Sequence, residues 1–256
     1  MAIKKIFDAF TNDTDAQRTF REIFLNLEMG GHANIVNIIN LRKSPNNVDV
    51  YIIFEFMDAD LHTVIRTGCC RDLQVRYIGW QILCSLRFIH SAQIIHRDIK
   101  PANFLINKAC TVKLGDFGLA RWIKGVEKYV DPVLTDYIAT RWYRAPEVLL
   151  GAPKYDGSID MWGFGCILVE IYNAQPLFPG SSTLNQLQRI LEITGVPNEK
   201  DLSEIHSPLA LSVFDKLVHP EAKKTIKEVI PTAPDEAIDL IEKCLIFRPS
   251  LRITAA

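Results

Sequence analysis

No two cysteines in the sequence stand at the spacing of a zinc site. The six, at 69, 70, 84, 110, 166 and 244, never form CxxC, and adjacent Cys69–Cys70 is not a ligand spacing. They are expected to be reduced, mostly buried thiols of a cytosolic protein. An excess of either charge is missing too, since 29 basic against 30 acidic residues give a formal −1. That balance provides no bulk attraction to nucleic acid or to a membrane surface, and neither is expected as a partner. Long apolar runs are absent. The longest, MWGFGCILV at 161–169, lies between Asp160 and Glu170, is too short to span a bilayer, and reads as a buried helix. The opening MAIKKIFDAF has no signal-peptide core, and no repeat, low-complexity tract or flexible linker is seen.

What is present is an ordinary globular composition, 48% hydrophobic and 23% charged, over 256 residues. That length suits one large domain or two lobes of a single unit. In NDTDAQRTFREIFLNL, Thr14 precedes Gln17 by three, and Phe20, Ile23, Phe24 and Leu27 repeat with helical period. Two strand-like stretches follow, IVNIINL and VDVYIIFEF, separated by the turn candidate SPNN. Residues 72–91 read as a helix, then come IIH, a loop, FLI, a turn at NKAC, and VKL. Beyond 156, helices are expected near 159–173, 182–194 and 234–245. The pattern is α+β: a small mixed lobe over 1–56, a connection near 55–60, and a mainly helical lobe over 57–256. Tyr51, Phe56, Trp80 and Trp162 are expected in the core.

The string His96-Arg97-Asp98-Ile99-Lys100-Pro101-Ala102-Asn103 holds the groups that phosphoryl transfer asks for. Asp98 can orient an acceptor hydroxyl and take its proton, and Lys100 can sit near the transferring phosphate. Asn103 offers a carbonyl oxygen to a metal. Asp116-Phe117-Gly118, thirteen residues on, adds the carboxylate that a hard cation requires, and Gly118 lets the backbone turn. Ala145-Pro146-Glu147 closes the segment.

With these motifs the chain resembles the eukaryotic protein kinases over essentially its whole length. Thr135-Asp136-Tyr137 followed by IATRWYRAPEVLL resembles the activation segment of the mitogen-activated protein kinases, and FPGSSTLNQLQRILEITGVP resembles that family's insertion. The runs KKIFDAFTNDTDAQRTFREI, FEFMDADL and VKLGDFGLAR are most similar to the atypical extracellular-signal-regulated kinase 7/8 subgroup. The resemblance implies a bilobal kinase fold, ATP and Mg²⁺ as cofactors, and protein substrates with Ser/Thr-Pro sites. It implies that Lys4 holds the α- and β-phosphates with Glu22 as its partner. Phe54 is then the gatekeeper, Glu55 to Met57 the adenine hinge, and Asp60 the ribose contact, although Asp60 could equally cap the next turn. Asn103 and Asp116 hold metal. Thr135 and Tyr137 are phosphosites, which together add roughly −3 to −4 charges. Arg21, Arg97 and Arg121 match the phosphothreonine contacts, and Arg141 and Arg144 the phosphotyrosine contacts. An upstream kinase or autophosphorylation would activate a monomer in the cytoplasm, or also in the nucleus. Glu147 pairs with Arg252, and Asp160 anchors the catalytic loop.

The sequence departs from the family pattern in several places. Only Met1-Ala2-Ile3-Lys4 stands where two strands and a Gly-rich loop precede the lysine, so the small lobe is expected to be incomplete and its Lys4 strand frayed. At the other end the family's final helix and tail are missing after Ala256. Asn26 occupies a position where the family has a large apolar residue; if buried, its amide needs a partner, or it turns to solvent. Gly115 before Asp116 loosens the loop locally. The alternative to a kinase is a catalytically weak scaffold that binds partners through its large lobe.

Overall fold

The computed structural model describes residues 1–10, 12–123, 138–208, 210–217 and 220–256. Thr135 and Tyr137 lie outside the described residues. The small lobe is a three-stranded antiparallel sheet of β1 (Ala2–Ile6), β2 (Ile38–Lys43) and β3 (Val50–Phe54), in the order β1-β3-β2, with helix α1 (Asp13–Glu28) against it. Strand β1 is not frayed: all five of its residues pair with β3, with Lys4 opposite Ile52. The SPNN turn carries Asn47 in the left-handed region at φ 63°, as asparagine tolerates.

In the large lobe, α2 (Leu61–Arg66) and α3 (Asp72–Ser91) lie between a first short strand at 59–60 and the strands that follow residue 93. Strand β4 (Ala59–Asp60), β6 (Phe104–Ile106) and β7 (Val112–Leu114) form one small sheet, and β5 (Ile94–Ile95) with β8 (Arg121–Trp122) another. Among the described residues beyond 144 the helices are α4 (Pro146–Leu149), α5 (Ser158–Asn173), α6 (Thr183–Thr194), α7 (Glu199–Ile205), α8 (Ala210–Phe214), α9 (Ile226–Val229) and α10 (Asp235–Cys244). This is the expected mixed bilobal arrangement. Among the described residues no helix is long and apolar enough to cross a membrane.

Helix α5 carries MWGFGCILV and is buried from Ile159 to Ile171, because a helix apolar all round can only sit in a core. Gly163 faces Ile99 of the 96–103 loop; a Cβ there would lie 2.8 Å from that of Ile99, so glycine allows the loop to lie on the helix. The small lobe's own core is slight: Ala9, Val50 and Ile52, with Ile6, Ile23, Ile38 and Phe54 against them. Residues 34–36 join the two lobes. Leu114 N–H donates to Asn34 O at 2.8 Å and Val36 N–H to Leu114 O at 2.9 Å. The buried Asn34 amide donates to Val112 O at 2.8 Å and to Gln81 Oε1 at 3.1 Å.

Several expectations are corrected. Helix α1 is capped by Asn12, whose side chain accepts from Asp15 N–H at 2.8 Å, not by Thr14. Its apolar stripe is not its buried face: Phe20, Phe24 and Leu27 are exposed, while Thr19, Glu22, Leu25 and Asn26 are buried. Phe56 and Trp80 are exposed and Tyr51 is only half-buried; Trp162 alone of the four is fully buried. Of the cysteines, all free, only Cys166 and Cys244 are buried.

Candidate active site

The loop after β5 is fixed from below by Asp160, at the start of α5. Its carboxylate accepts His96 N–H at 2.8 Å, Arg97 N–H at 2.9 Å and a hydrogen bond from His90 Nε2 at 2.9 Å. Burial pushes its pKa up, but these donors outweigh that and hold it below the usual carboxylate range. His96 is fully buried; Nε2 donates to Gly115 O at 3.0 Å, and Nδ1 faces Asp98 N–H at 3.4 Å. One neutral tautomer satisfies both contacts. Arg97 takes φ 71°, a left-handed turn that re-aims the chain into Asp98.

Asp98 is held on one side only. Its Oδ2 accepts Lys100 Nζ at 2.7 Å and Asn103 Nδ2 at 3.0 Å, and its main-chain oxygen accepts the same amide at 2.7 Å. Oδ1 is buried without a hydrogen-bond partner among the described residues. A small cavity of about 20 Å³, room for one water, is lined by Asp98, Arg97, Ile99, Tyr143 and Arg144.

Asn103 ends the short turn Pro101–Asn103, and its carbonyl accepts Gly115 N–H at 2.9 Å, which sets Asp116 beside it. Asp116 has φ 55° and accepts Gly118 N–H at 3.3 Å. Phe117 is buried edge-on to His96, centroids 5.2 Å apart. Burial pushes Asp116 up, but Lys4, Arg18 and the Gly118 amide hold it below the usual range, so it stays ionised. Lys4 also bonds Glu22 Oε1 at 2.5 Å. Burial raises Glu22 above its ordinary pKa, against the pull of Lys4.

The residues fit a hard divalent ion. Asn103 uses its amide nitrogen on Asp98, which leaves its oxygen as a ligand, and Asp116 supplies an ionised carboxylate. Among the described residues no three His, Cys, Asp or Glu side chains form a metal cage.

The arginines fall into two groups. Arg21 Nη1 donates to Gly118 O at 2.8 Å, Arg97 Nη1 to Leu119 O at 3.3 Å, and Arg121 Nη1 to Ala120 O at 3.0 Å and Leu119 O at 3.3 Å. Three guanidinium groups thus converge on one short stretch of backbone. Arg141 reaches Ser181 O at 3.3 Å instead, and Arg144 lines the cavity beside Asp98. At the lobe junction, Phe54 ends β3 and Met57 is half-buried. The Glu55 side chain clamps Asn37 N–H and Lys113 Nζ, each at 2.8 Å. Asp60 caps α2 through Thr63 N–H at 2.8 Å, the plainer of its two readings.

Asn34 and Gln81, the polar link between the lobes, escaped the sequence reading because nothing in their spacing sets them apart. Tyr143, whose hydroxyl donates to Glu170 Oε2 at 2.7 Å, escaped it for the same reason.

Comparison with known proteins agrees with this geometry. The protein kinase domain model matches residues 1–256. The chain is 49% identical to extracellular signal-regulated kinase 2 of Dictyostelium discoideum, covering all of this chain and 69% of that protein. It is 48% identical to mitogen-activated protein kinase 15 of Xenopus laevis, over all of this chain but 44% of that protein. It is 44% identical to mitogen-activated protein kinase 13 of Arabidopsis thaliana, over 99% of this chain and 69% of that protein. The chain therefore belongs to the protein kinase family, as a serine/threonine kinase domain of the mitogen-activated type. It spans about half the length of several of these relatives.

Proposed function

We propose that this chain transfers the γ-phosphoryl group of ATP to serine and threonine hydroxyls of proteins, preferably before proline. One observation carries the reading: Asp98 is buried, fixed through Oδ2, and leaves Oδ1 without a partner among the described residues. That oxygen accepts the proton of the attacking hydroxyl as the new O–P bond forms and the bond to the β–γ bridging oxygen breaks, with ADP leaving. Lys100, bound to the same carboxylate, offsets charge on the transferring group. Lys4, oriented by Glu22, faces the α- and β-phosphates, while Phe54, Glu55 and Met57 border the base and Asp60 the ribose. Mg²⁺, held by Asn103 and Asp116, supplies charge neutralisation at the phosphate oxygens when bound.

Phosphorylation at Thr135 and Tyr137, by an upstream kinase or by the molecule itself, is the proposed switch. Arg21, Arg97 and Arg121 are its phosphothreonine contacts, and Arg141 and Arg144 its phosphotyrosine contacts. The sequence runs around Lys4, Asp60 and Asp116 support membership of the extracellular-signal-regulated kinase 7/8 subgroup, and the likeness to mitogen-activated protein kinase 15 supports the same reading. The small lobe is assigned to 1–56 and the large lobe to 57–256, in a monomer of the cytoplasm, or also of the nucleus. The test is ATP- and Mg²⁺-dependent labelling of a Ser-Pro peptide, with a Ser-Ala peptide and Asp98→Asn as controls. Labelling of the Ser-Pro peptide alone, lost in the variant, is expected; equal labelling by both proteins overturns the reading.

A further inference from the structure

Helix α1 presents a reversed face to the protein. Asn26, one turn beyond Glu22 on the same side, is 1% exposed, and both Oδ1 and Nδ2 lack partners among the described residues. A buried amide in that state opposes the packing it takes part in, because both groups give up water for nothing. The inner face of α1 is thus weakened beside the residue that must be held most accurately.

The outer face carries the opposite feature. Phe20 and Phe24 stack with centroids 5.6 Å apart at 14°, and Phe24 meets Trp122 at 6.0 Å and 57°. All three are substantially exposed, at 65%, 38% and 43%. These separations lie in the range where aromatic pairs attract beyond their burial. Trp122 is a fixed post: β8 pairs Trp122 with Ile94 and Arg121 with Ile95, and Ile123 N–H donates to Gln93 O at 2.8 Å. The ladder therefore runs from α1 to the strand that leads directly into His96. Arg21 also ties α1 to the same region, donating to Gly118 O at 2.8 Å.

We propose that Phe24 and Trp122 are positioning residues that set α1, and with it Glu22 against Lys4, from the outer side of the helix, offsetting the buried amide of Asn26 on the inner side. The consequence for phosphoryl transfer rests on the kinase reading; the consequence for α1 does not.

Native-state hydrogen exchange on the full chain separates the two. In Trp122→Ala, amides of residues 20–26 should exchange roughly two- to tenfold faster, with α3 and α5 unchanged. Trp122→Phe should restore the wild-type rate. Asn26→Leu should slow exchange in α1 and, combined with Trp122→Ala, bring it back toward wild type. In labelling assays Trp122→Ala should raise the KM for ATP and Trp122→Phe should correct it. If Trp122→Ala speeds α1 no more than α3 and α5, or if Trp122→Phe behaves as Trp122→Ala does, the ladder does not position the helix. If the exchange results hold but no variant, wild type included, labels peptide, the kinase reading fails while the ladder stands.

Discussion

Glu147 and Arg252, 105 residues apart, form a two-pronged buried ion pair at 2.5 and 2.7 Å. Arg252 also donates to Ile246 O and Phe247 O, at 2.7 and 2.9 Å, and lies over the Trp162 ring at 5.0 Å. One guanidinium therefore joins α4, α5 and the chain after α10. Removing one partner leaves the other charge buried alone, and Arg252→Met should cost about 3–5 kcal/mol. The pair variant Glu147→Leu/Arg252→Met should recover much of that loss. Urea unfolding of the three proteins checks both statements.

Asp160 provides a sharper test of how the loop is built. It is fully buried and spends both oxygens on the backbone of residues 96 and 97. An amide has one acceptor oxygen, so Asp160→Asn sets an NH₂ against one of those N–H groups. The loop should shift while the fold persists, with kcat lowered on the order of 10²-fold and the KM for ATP little changed. Steady-state labelling at varied ATP reads the split.

Acid should act on the small lobe through Asp49. Hydrogen bonds from Lys5 (2.8 Å), from Asp8 N–H (3.0 Å) and from Asn46 (2.8 Å) lower its pKa to about 2. The folded value lies below the unfolded one, so this group's contribution to stability is complete above about pH 4. It is lost as pH falls toward about 2. Asp49→Asn should flatten that part of the acid limb and leave neutral behaviour nearer to wild type. Hydrogen exchange of β1, whose Lys5 is the partner, follows the difference.

Much of this site was legible because its chemistry is contiguous. Asp98, Lys100 and Asn103 sit within six residues, and the short strands around them have local signals. Helix α5 announced itself by an unbroken apolar run, and α3 by its period. Helix α1 was found but its orientation was not: periodicity marks a stripe without saying which stripe turns inward. Here the inward side carries Glu22 to Lys4 and Arg21 to Gly118 O, and the aromatic stripe stays outside. Asp60 had two readings in sequence, and of these the cap is seen, through the Thr63 amide. The brief helices α7 to α9, seven residues or fewer, are too short for a periodic signal. Asn34 and Gln81 acquire meaning only when the lobes meet.

The Lys4–Glu22 pair should matter to nucleotide handling more than to stability. Glu22 is held above its ordinary pKa by burial, and Lys4 provides its counter-charge. Glu22→Gln keeps the shape, removes that charge and relieves the desolvation. The kcat/KM for ATP should fall on the order of 10²-fold, with unfolding temperature unchanged or slightly raised. Parallel kinetics and thermal unfolding decide it.

The most direct measurement compares Mg²⁺·ATP affinity and phosphoryl transfer to a Ser-Pro peptide in the wild type and in Asp98→Asn. If Asp98 acts on the acceptor hydroxyl, the variant should bind nucleotide with unchanged affinity and lose transfer by about 10²–10⁴-fold. Transfer at wild-type rates in Asp98→Asn would contradict that role.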